Sequence, residues 1–323
     1  MFKRIFPALL LLTLSQNDIA QPAPSSDSIK NAELFQIIRQ GNVSALEKSL
    51  ANGASPNAVL EGYSALMAAA LNGTAEEMKI LLFHGSDLDY MNADSVTALW
   101  LAIPDYDKTV LLLNAGANPQ TPGKGGYMPI VKLSTSYGSA PLMKLFIEKG
   151  AICKKSAPDN YLLYNAALTD DTAMLGICIR EGLHVNDTTY SGDYPILNLL
   201  VGKCFNTLQM IVENGADVNV AATAGLIHNT YTPLMMAALS NDHRSFFYLL
   251  NHGADPNRKS SKGMTTLMYA MQAEEDDPEI TRALLDRGAN PADKMADGTD
   301  ALYFAEKMGN TESVKLIKDK MKK

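Results

Sequence analysis

The chain has 323 residues, a formal net charge of −7 at pH 7 and only three cysteines. Its acidic balance argues against nucleic-acid binding, because proteins that bind phosphates need a basic face. Cys153, Cys178 and Cys204 are too few for a disulfide framework and too widely spaced for a metal site. Free thiols are therefore expected, although an incidental pair among them is left open.

The first 20 residues predict a secretory signal peptide. Lys3 and Arg4 precede an apolar run over residues 5–14, which is too short to cross a bilayer as a helix. A buried core helix is the alternative, and the cleavage site is left open. Residues 21–29 are interpreted as a linker. Since no cysteine follows the apolar run, a bacterial lipoprotein anchor is excluded, and we expect a periplasmic or secreted protein with no stable membrane anchor after signal cleavage. An uncleaved signal anchor is the alternative.

A Gly-Ala pair recurs at intervals of 31 to 38 residues through the rest of the chain. Two of the copies are weaker and carry Ser or Leu in place of Ala. The copies are Gly53-Ala54, Gly85-Ser86, Gly116-Ala117, Gly150-Ala151, Gly182-Leu183, Gly215-Ala216, Gly253-Ala254 and Gly288-Ala289. A period near 33 residues is typical of stacked supersecondary units and not of a globular enzyme built around one pocket.

Each unit predicts two short antiparallel helices. In the clearest unit, Thr232 is an N-cap signal and Pro233 suits the first turn of a helix. The unit closes at Gly253, where a helix needs a left-handed residue. The 13 or 14 residues that join most units are too few for a further helix but enough for a protruding hairpin.

These residues resemble ankyrin repeats. The family motif Gly-x-Thr-Pro-Leu, Ala-Ala, Leu-Leu and Gly-Ala-Asp-x-Asn is nearly complete at residues 232–257 and recognisable over residues 30–323. The resemblance implies an all-α solenoid of about nine helix–turn–helix units with finger hairpins, and a concave face of fingers and inner helices that binds a protein. The family's histidine after the opening Leu is replaced throughout. The hydrogen bonds that this histidine usually makes between repeats therefore cannot form, and packing is expected to replace them. The replacements are Met67, Trp100, Val131, Tyr164, Leu197, Met235, Met268 and Tyr303.

The candidate partner-binding residues are aromatic side chains and one long finger. Tyr63, Tyr127 and Tyr231 share a register, three residues before the opening Leu or Ile of their units. Local packing and partner recognition are both open interpretations for these tyrosines. Tyr90 also lies on a finger, and Trp100 is expected to be half-buried.

The finger before Leu234 is 19 residues long, and its extra residues lie within 221–230. Leu226, Ile227 and His228 in this stretch are the first choice for a partner contact, because function is often added in longer loops.

No catalytic, cofactor-binding or metal-binding residues are predicted. The five histidines include no His-Glu-x-x-His pair. The glycine-rich loop at residues 123–126 is similar to a phosphate-binding loop but lacks the Ser or Thr that would follow Lys124. We therefore interpret it as a finger. The acidic run at residues 274–277 lacks the glycine of a calcium loop and is interpreted as a solvated turn. A rival hypothesis, an enzyme or metal-handling protein, would need His228 to converge with other ligand residues.

The resulting prediction is an exported, non-enzymatic and monomeric scaffold that binds a protein partner in the cell envelope. It needs no cofactor and binds no nucleic acid. Two alternatives keep the fold and change the partner: an immunity protein that neutralises a delivered toxin, and a secreted effector directed at host proteins.

Overall fold

A computed structural model of the chain describes residues 26–153, 161–188, 192, 194–223 and 230–322. The predicted signal peptide and the candidate contacts Leu226, Ile227 and His228 lie outside these ranges.

Within the described residues the chain forms eighteen α-helices in nine successive pairs. The helices are α1 (Ser26–Gln40), α2 (Val43–Ala51), α3 (Ala65–Asn72), α4 (Ala75–Phe83), α5 (Ala98–Ala102), α6 (Tyr106–Asn114), α7 (Pro129–Leu133), α8 (Ala140–Glu148), α9 (Tyr161–Leu168), α10 (Thr172–Arg180), α11 (Pro195–Val201), α12 (Phe205–Glu213), α13 (Pro233–Leu239), α14 (His243–Asn251), α15 (Thr266–Ala270), α16 (Pro278–Asp286), α17 (Ala301–Met308) and α18 (Thr311–Met321). The predicted all-α solenoid of about nine units is confirmed.

The helices stack in two layers. The odd-numbered helices form one layer, in which α1 packs on α3, α3 on α5, and α7 through α17 follow in order. The even-numbered helices form the second layer, and each odd helix packs against the even helix that follows it in its unit. Because every unit buries its apolar side chains against its neighbours, one continuous core runs from Leu34 to Ile317.

Two short hairpins are present among the fingers that the structure describes. In the first, β1 (Val59–Leu60) pairs antiparallel with β2 (Tyr63–Ser64). In the second, β3 (Ala222–Thr223) pairs with β4 (Thr230–Tyr231) at the base of the long finger.

Helices α3 and α13 begin at polar cap residues, as the sequence predicts for Thr232. The backbone N–H of Met67 donates to Ser64 Oγ, and that of Met235 donates to Thr232 Oγ1, each at 3.2 Å. Each bond satisfies one of the amide groups that the first turn of a helix leaves without an intrahelical partner. Met67 and Met235 themselves are fully buried, so packing occupies two of the positions at which the family carries histidine.

The fingers are joined by a repeated side-chain bridge. Asn219 Nδ2 donates to the carbonyl of Gly253 at 2.9 Å, and its Oδ1 accepts from the N–H of Asp255 at 2.8 Å. Asn186 makes the same two bonds, to Gly215 and Asp217, at 2.8 Å each. The last Asn of one motif therefore holds the Gly-Ala-Asp turn of the next unit. Gly253 itself has φ of +90°, the left-handed conformation expected at that turn.

The two ends of the stack are helices α1 and α18. Helix α1 begins at Ser26, inside the predicted linker, so it extends the first unit towards the N-terminus. In α18, Lys315 pairs with Glu312 at 2.6 Å, and Lys318 pairs with Glu306 of α17 at 2.7 Å. These pairs suit a terminal repeat that no neighbour covers.

Candidate partner-binding surface

The finger hairpins and the odd-numbered helices share one face of the stack, which we call the finger face. At its N-terminal end, Leu60 and Glu61 of the first hairpin line a recess together with side chains of α1 and α3, including Phe35 and Leu71. Further along the stack, a second recess of about 310 Å³ opens beside Trp100. We call it the Trp100 recess, and it is lined by Trp100, Tyr127, Val131, Lys132, Thr135 and Asn165.

Trp100 is held by a hydrogen bond at the start of its own helix and by the close approach of the next finger. Its backbone N–H donates to Thr97 Oγ1 at 3.2 Å, which caps α5. On the ring side, the backbone at Gly123 packs against the indole so closely that a Cβ at this position would lie 2.4 Å from Cδ2. The glycine-rich loop predicted as a finger therefore positions the tryptophan. Trp100 is half-buried, as expected.

Lys132 is one of the residues that line the Trp100 recess. Its Nζ donates to the backbone carbonyl of Trp100 and lies 5.2 Å from the centre of the indole ring. Burial lowers the pKa of the Lys132 amine to about 8, because the charged form loses part of its hydration. The recess thus combines two aromatic rings with a partly dehydrated cation.

Tyr127 stands at the edge of the same recess. It is 39% exposed and Trp100 is half-buried, so both rings keep part of their apolar surface open to solvent. Aromatic side chains of this kind give large contact areas with few rotatable bonds, which is why they are frequent in protein interfaces. The structure brings these two predicted residues together in one site.

Tyr63 and Tyr90 form a second group nearer the N-terminus. Tyr63 is half-buried and lines the recess beside Leu60. Tyr90 is also half-buried, and its hydroxyl donates to the carbonyl of Gly62 at 3.3 Å, which connects two successive fingers. Tyr90 therefore serves a structural contact as well as lying near the finger face.

Tyr231 differs from the other tyrosines of its register. It is only 8% exposed, and its ring centre lies 5.3 Å from that of Tyr269 in the next unit. Of the two interpretations open for this residue, the structure supports packing, because a ring enclosed by its neighbour has little area left for a partner. The position in the repeat is shared, but the burial is not.

Two carboxylates of the acidic run at residues 274–277 bond to the first turns of helices, while Glu274 and Glu275 are exposed. Asp277 Oδ1 accepts from the N–H groups of Glu279 and Ile280 at the start of α16. Asp276 accepts from the N–H of Glu312 at 3.0 Å and from the Ser313 hydroxyl at the start of α18. Across the residues the structure describes, no group of three or more His, Cys, Asp or Glu side chains is placed to hold a metal ion. His228 lies outside those residues, so the metal hypothesis is untested at its key position.

Cys153, Cys178 and Cys204 are buried free thiols. A hydrogen bond with Cys153 and burial raise the pKa of the Cys178 thiol. Burial also raises the pKa of Cys204. Thiolate formation is therefore disfavoured at both sites, as is typical of structural cysteines.

The family model of ankyrin repeats matches three segments, residues 34–123, 188–294 and 234–323. The chain belongs to the ankyrin-repeat family. Ankyrin repeats generally mediate protein–protein interaction, and they are typically non-enzymatic scaffolds. The family model does not match residues 124–187. All the residues that line the Trp100 recess except Trp100 itself lie in that interval.

Several curated ankyrin-containing proteins are similar to this chain. The ankyrin repeat and KH domain-containing protein mask-1 of Caenorhabditis elegans is 25% identical over 294 residues, covering 80% of this chain and 11% of that protein. The human transient receptor potential cation channel subfamily A member 1 is 26% identical over 292 residues, covering 86% of this chain and 26% of that protein. The putative ankyrin repeat protein L371 of Acanthamoeba polyphaga mimivirus is 20% identical over 206 residues, covering 60% of this chain and 26% of that protein. The chain therefore spans about a quarter or less of the length of these ankyrin relatives.

Lys132 is not among the candidate residues predicted from the sequence. A signal was present, because Lys132 stands two residues after the opening Ile130, where the other ankyrin units carry uncharged residues. Those residues are Ala68, Leu101, Asn165, Asn198, Met236, Tyr269 and Phe304. Aligning the units in register would have shown the lysine, but not that it lies beside the indole of another unit.

Proposed function

We propose that this ankyrin-repeat protein is an exported, non-enzymatic and monomeric scaffold that binds a protein partner in the cell envelope through its finger face. The observation that carries the proposal is the Trp100 recess, where Trp100, Tyr127 and Lys132 line one opening. A rigid aromatic pair beside a charged group has the composition of a binding hot spot. The export part rests on the signal peptide predicted from residues 1–20.

The partner search uses the predicted mature chain, residues 21–323, as bait in an envelope extract. Trp100→Ala and Tyr127→Ala test the recess, and deletion of residues 221–230 tests the long finger. Tyr137→Ala is the matched control, because this tyrosine is 78% exposed but lines a recess with residues of the even-numbered helices α8 and α10.

We expect one stoichiometric partner that Trp100→Ala and Tyr127→Ala lose and Tyr137→Ala retains. Loss of a hot-spot residue weakens binding by about 2 kcal/mol or more, which is roughly thirtyfold. Equal binding by all the variants would overturn the assignment of the finger face. A mature N-terminus that still contains residues 1–20 in the native host would overturn the export assignment.

A further inference from the structure

Lys132 is a half-buried cation that has no counter-charge among the residues the structure describes. None of the carboxylates that the structure describes lies within ion-pair distance of its Nζ, and its one direct hydrogen bond goes to the neutral carbonyl of Trp100. A charge that is removed from water without an opposite charge is unfavourable unless other groups compensate it. The indole face supplies only a weak substitute at 5.2 Å.

Lys108 provides the internal comparison. Its Nζ likewise donates to a backbone carbonyl near the end of an odd-numbered helix, that of Ala70, at 3.1 Å. Unlike Lys132, however, it has a carboxylate nearby, since Asp105 Oδ2 lies 3.8 Å away. The same kind of helix-end contact therefore occurs with an acidic neighbour at Lys108 and without one at Lys132.

We propose that Lys132 binds a carboxylate of the protein partner, an Asp or Glu side chain that enters the Trp100 recess. The proposal deepens the proposed function and rests on it, because it names the chemistry by which the finger face recognises its partner. An ammonium group has three donors, and one of them is taken by the Trp100 carbonyl. The remaining two can be shared between the oxygens of an incoming carboxylate.

The residues that line the recess suit such a side chain. Trp100 and Val131 offer apolar surface for the methylene groups of Glu or Asp, and Asn165 offers an amide group. The Thr135 hydroxyl already donates to the carbonyl of Lys132 at 2.8 Å. Its volume of about 310 Å³ is larger than one acidic side chain. A neutral partner side chain would leave the lysine as uncompensated as it is in the free protein.

Trp100 is the only tryptophan of the chain, so its fluorescence reports on the recess directly. The probes are N-acetylated, C-amidated Gly-Glu-Gly and Gly-Gln-Gly, titrated to about 200 mM at constant ionic strength because short charged ligands bind weakly and are screened by salt. The two peptides have nearly the same shape and differ in charge, and neither carries a terminal carboxylate.

We expect a saturable change in Trp100 emission with the Glu peptide and only a linear solvent effect with the Gln peptide. Lys132→Met should abolish the saturable part, Lys132→Arg should preserve it in part, and Lys108→Met should leave it unchanged. Identical responses to the two peptides, or saturation by the Glu peptide that survives in Lys132→Met, would overturn the proposal.

The captured partner separates this inference from the proposed function. If the partner binds Lys132→Met about tenfold or more weakly than wild type, the carboxylate contact is supported. If the partner is lost with Trp100→Ala but binds Lys132→Met as tightly as wild type, the finger face stands and the carboxylate contact is overturned. Lys132→Met keeps an unbranched side chain of nearly the same length and removes the ammonium group, with its charge and its hydrogen bond to the Trp100 carbonyl. An altered fold is not a competing explanation if the thermal unfolding of the variant matches that of wild type.

Discussion

The backbone at Gly123 lies against the face of the Trp100 indole, close enough that a Cβ would come within 2.4 Å of Cδ2 and 2.5 Å of Cε3. Gly123 has φ of −99°, a value that other residues also adopt. The glycine is therefore required by the close approach of the ring and not by an unusual backbone conformation. One residue of a finger thus sets the depth of an aromatic side chain on a helix of the preceding unit.

Gly123→Ala is expected to displace Trp100 and to reduce stability by about 1–3 kcal/mol, the usual cost of inserting atoms into a well-packed site. The measurement is urea denaturation followed by Trp100 emission, together with the emission maximum of the folded protein. Gly176→Ala is the control, because its Cβ would meet only the Arg180 side chain at 3.4 Å and the Met210 side chain beyond it. An unchanged emission maximum in Gly123→Ala would contradict the steric argument.

Asn219→Ala is expected to lower the free energy of unfolding by about 1–3 kcal/mol. The substitution removes the two hydrogen bonds that join Asn219 to Gly253 and Asp255 in the next unit, each worth roughly 1 kcal/mol. Asn214→Ala is the matched control, because Asn214 Nδ2 bonds only to the carbonyl of Met210 in its own helix. Equal losses in the two variants, measured by chemical denaturation, would mean that the bridge between units adds nothing.

As the pH rises from about 8 to 10, the free energy of unfolding of the wild-type protein should increase relative to that of Lys132→Met. The pKa of Lys132 is about 8 in the folded protein, against about 10.4 in an unfolded chain. Between these values the unfolded state binds more protons, so a rising pH favours the folded state. We expect a relative gain of about 1–2 kcal/mol, less than the full pKa difference would give, because water still reaches part of the side chain.

Urea denaturation of both proteins at pH 7, 8, 9 and 10 tests the direction of this change. The titration of the other lysines contributes equally to both proteins, so it cancels in the difference between their free energies of unfolding. A difference between the two proteins that stays constant over this range would contradict it. At pH 7 itself the variant should be close to wild type, within about 1 kcal/mol, because relief of the buried charge and loss of the bond to Trp100 oppose each other.

The three thiols should resist iodoacetamide in the folded protein at pH 8 and react fully after unfolding without a reductant. Alkylation proceeds through the thiolate, and the raised pKa values of Cys178 and Cys204 keep these buried thiols protonated. Intact mass spectrometry counts the adducts. One adduct in the unfolded protein, rising to three after reduction, would reveal a disulfide and contradict the assignment of free thiols.

The sequence by itself determined the repeat architecture. The spacing of the Gly-Ala pairs, the caps at Ser64 and Thr232 and the turn glycine at Gly253 are local signals, because each acts within one or two helical turns of its own position. Nine helix pairs across the described residues follow from repeating such signals. The expectation that Trp100 is half-buried also came from its place in the repeat.

The tertiary structure alone decided which residues of that register reach the surface. Tyr63, Tyr127 and Tyr231 occupy one position in the repeat, yet Tyr127 lies open at the Trp100 recess while Tyr231 is covered by Tyr269 of the next unit. The exposure of Lys132 is likewise set by Trp100, a residue 32 positions away on another helix. Burial and charge compensation depend on neighbours from adjacent units, and a motif read within one unit does not contain those neighbours.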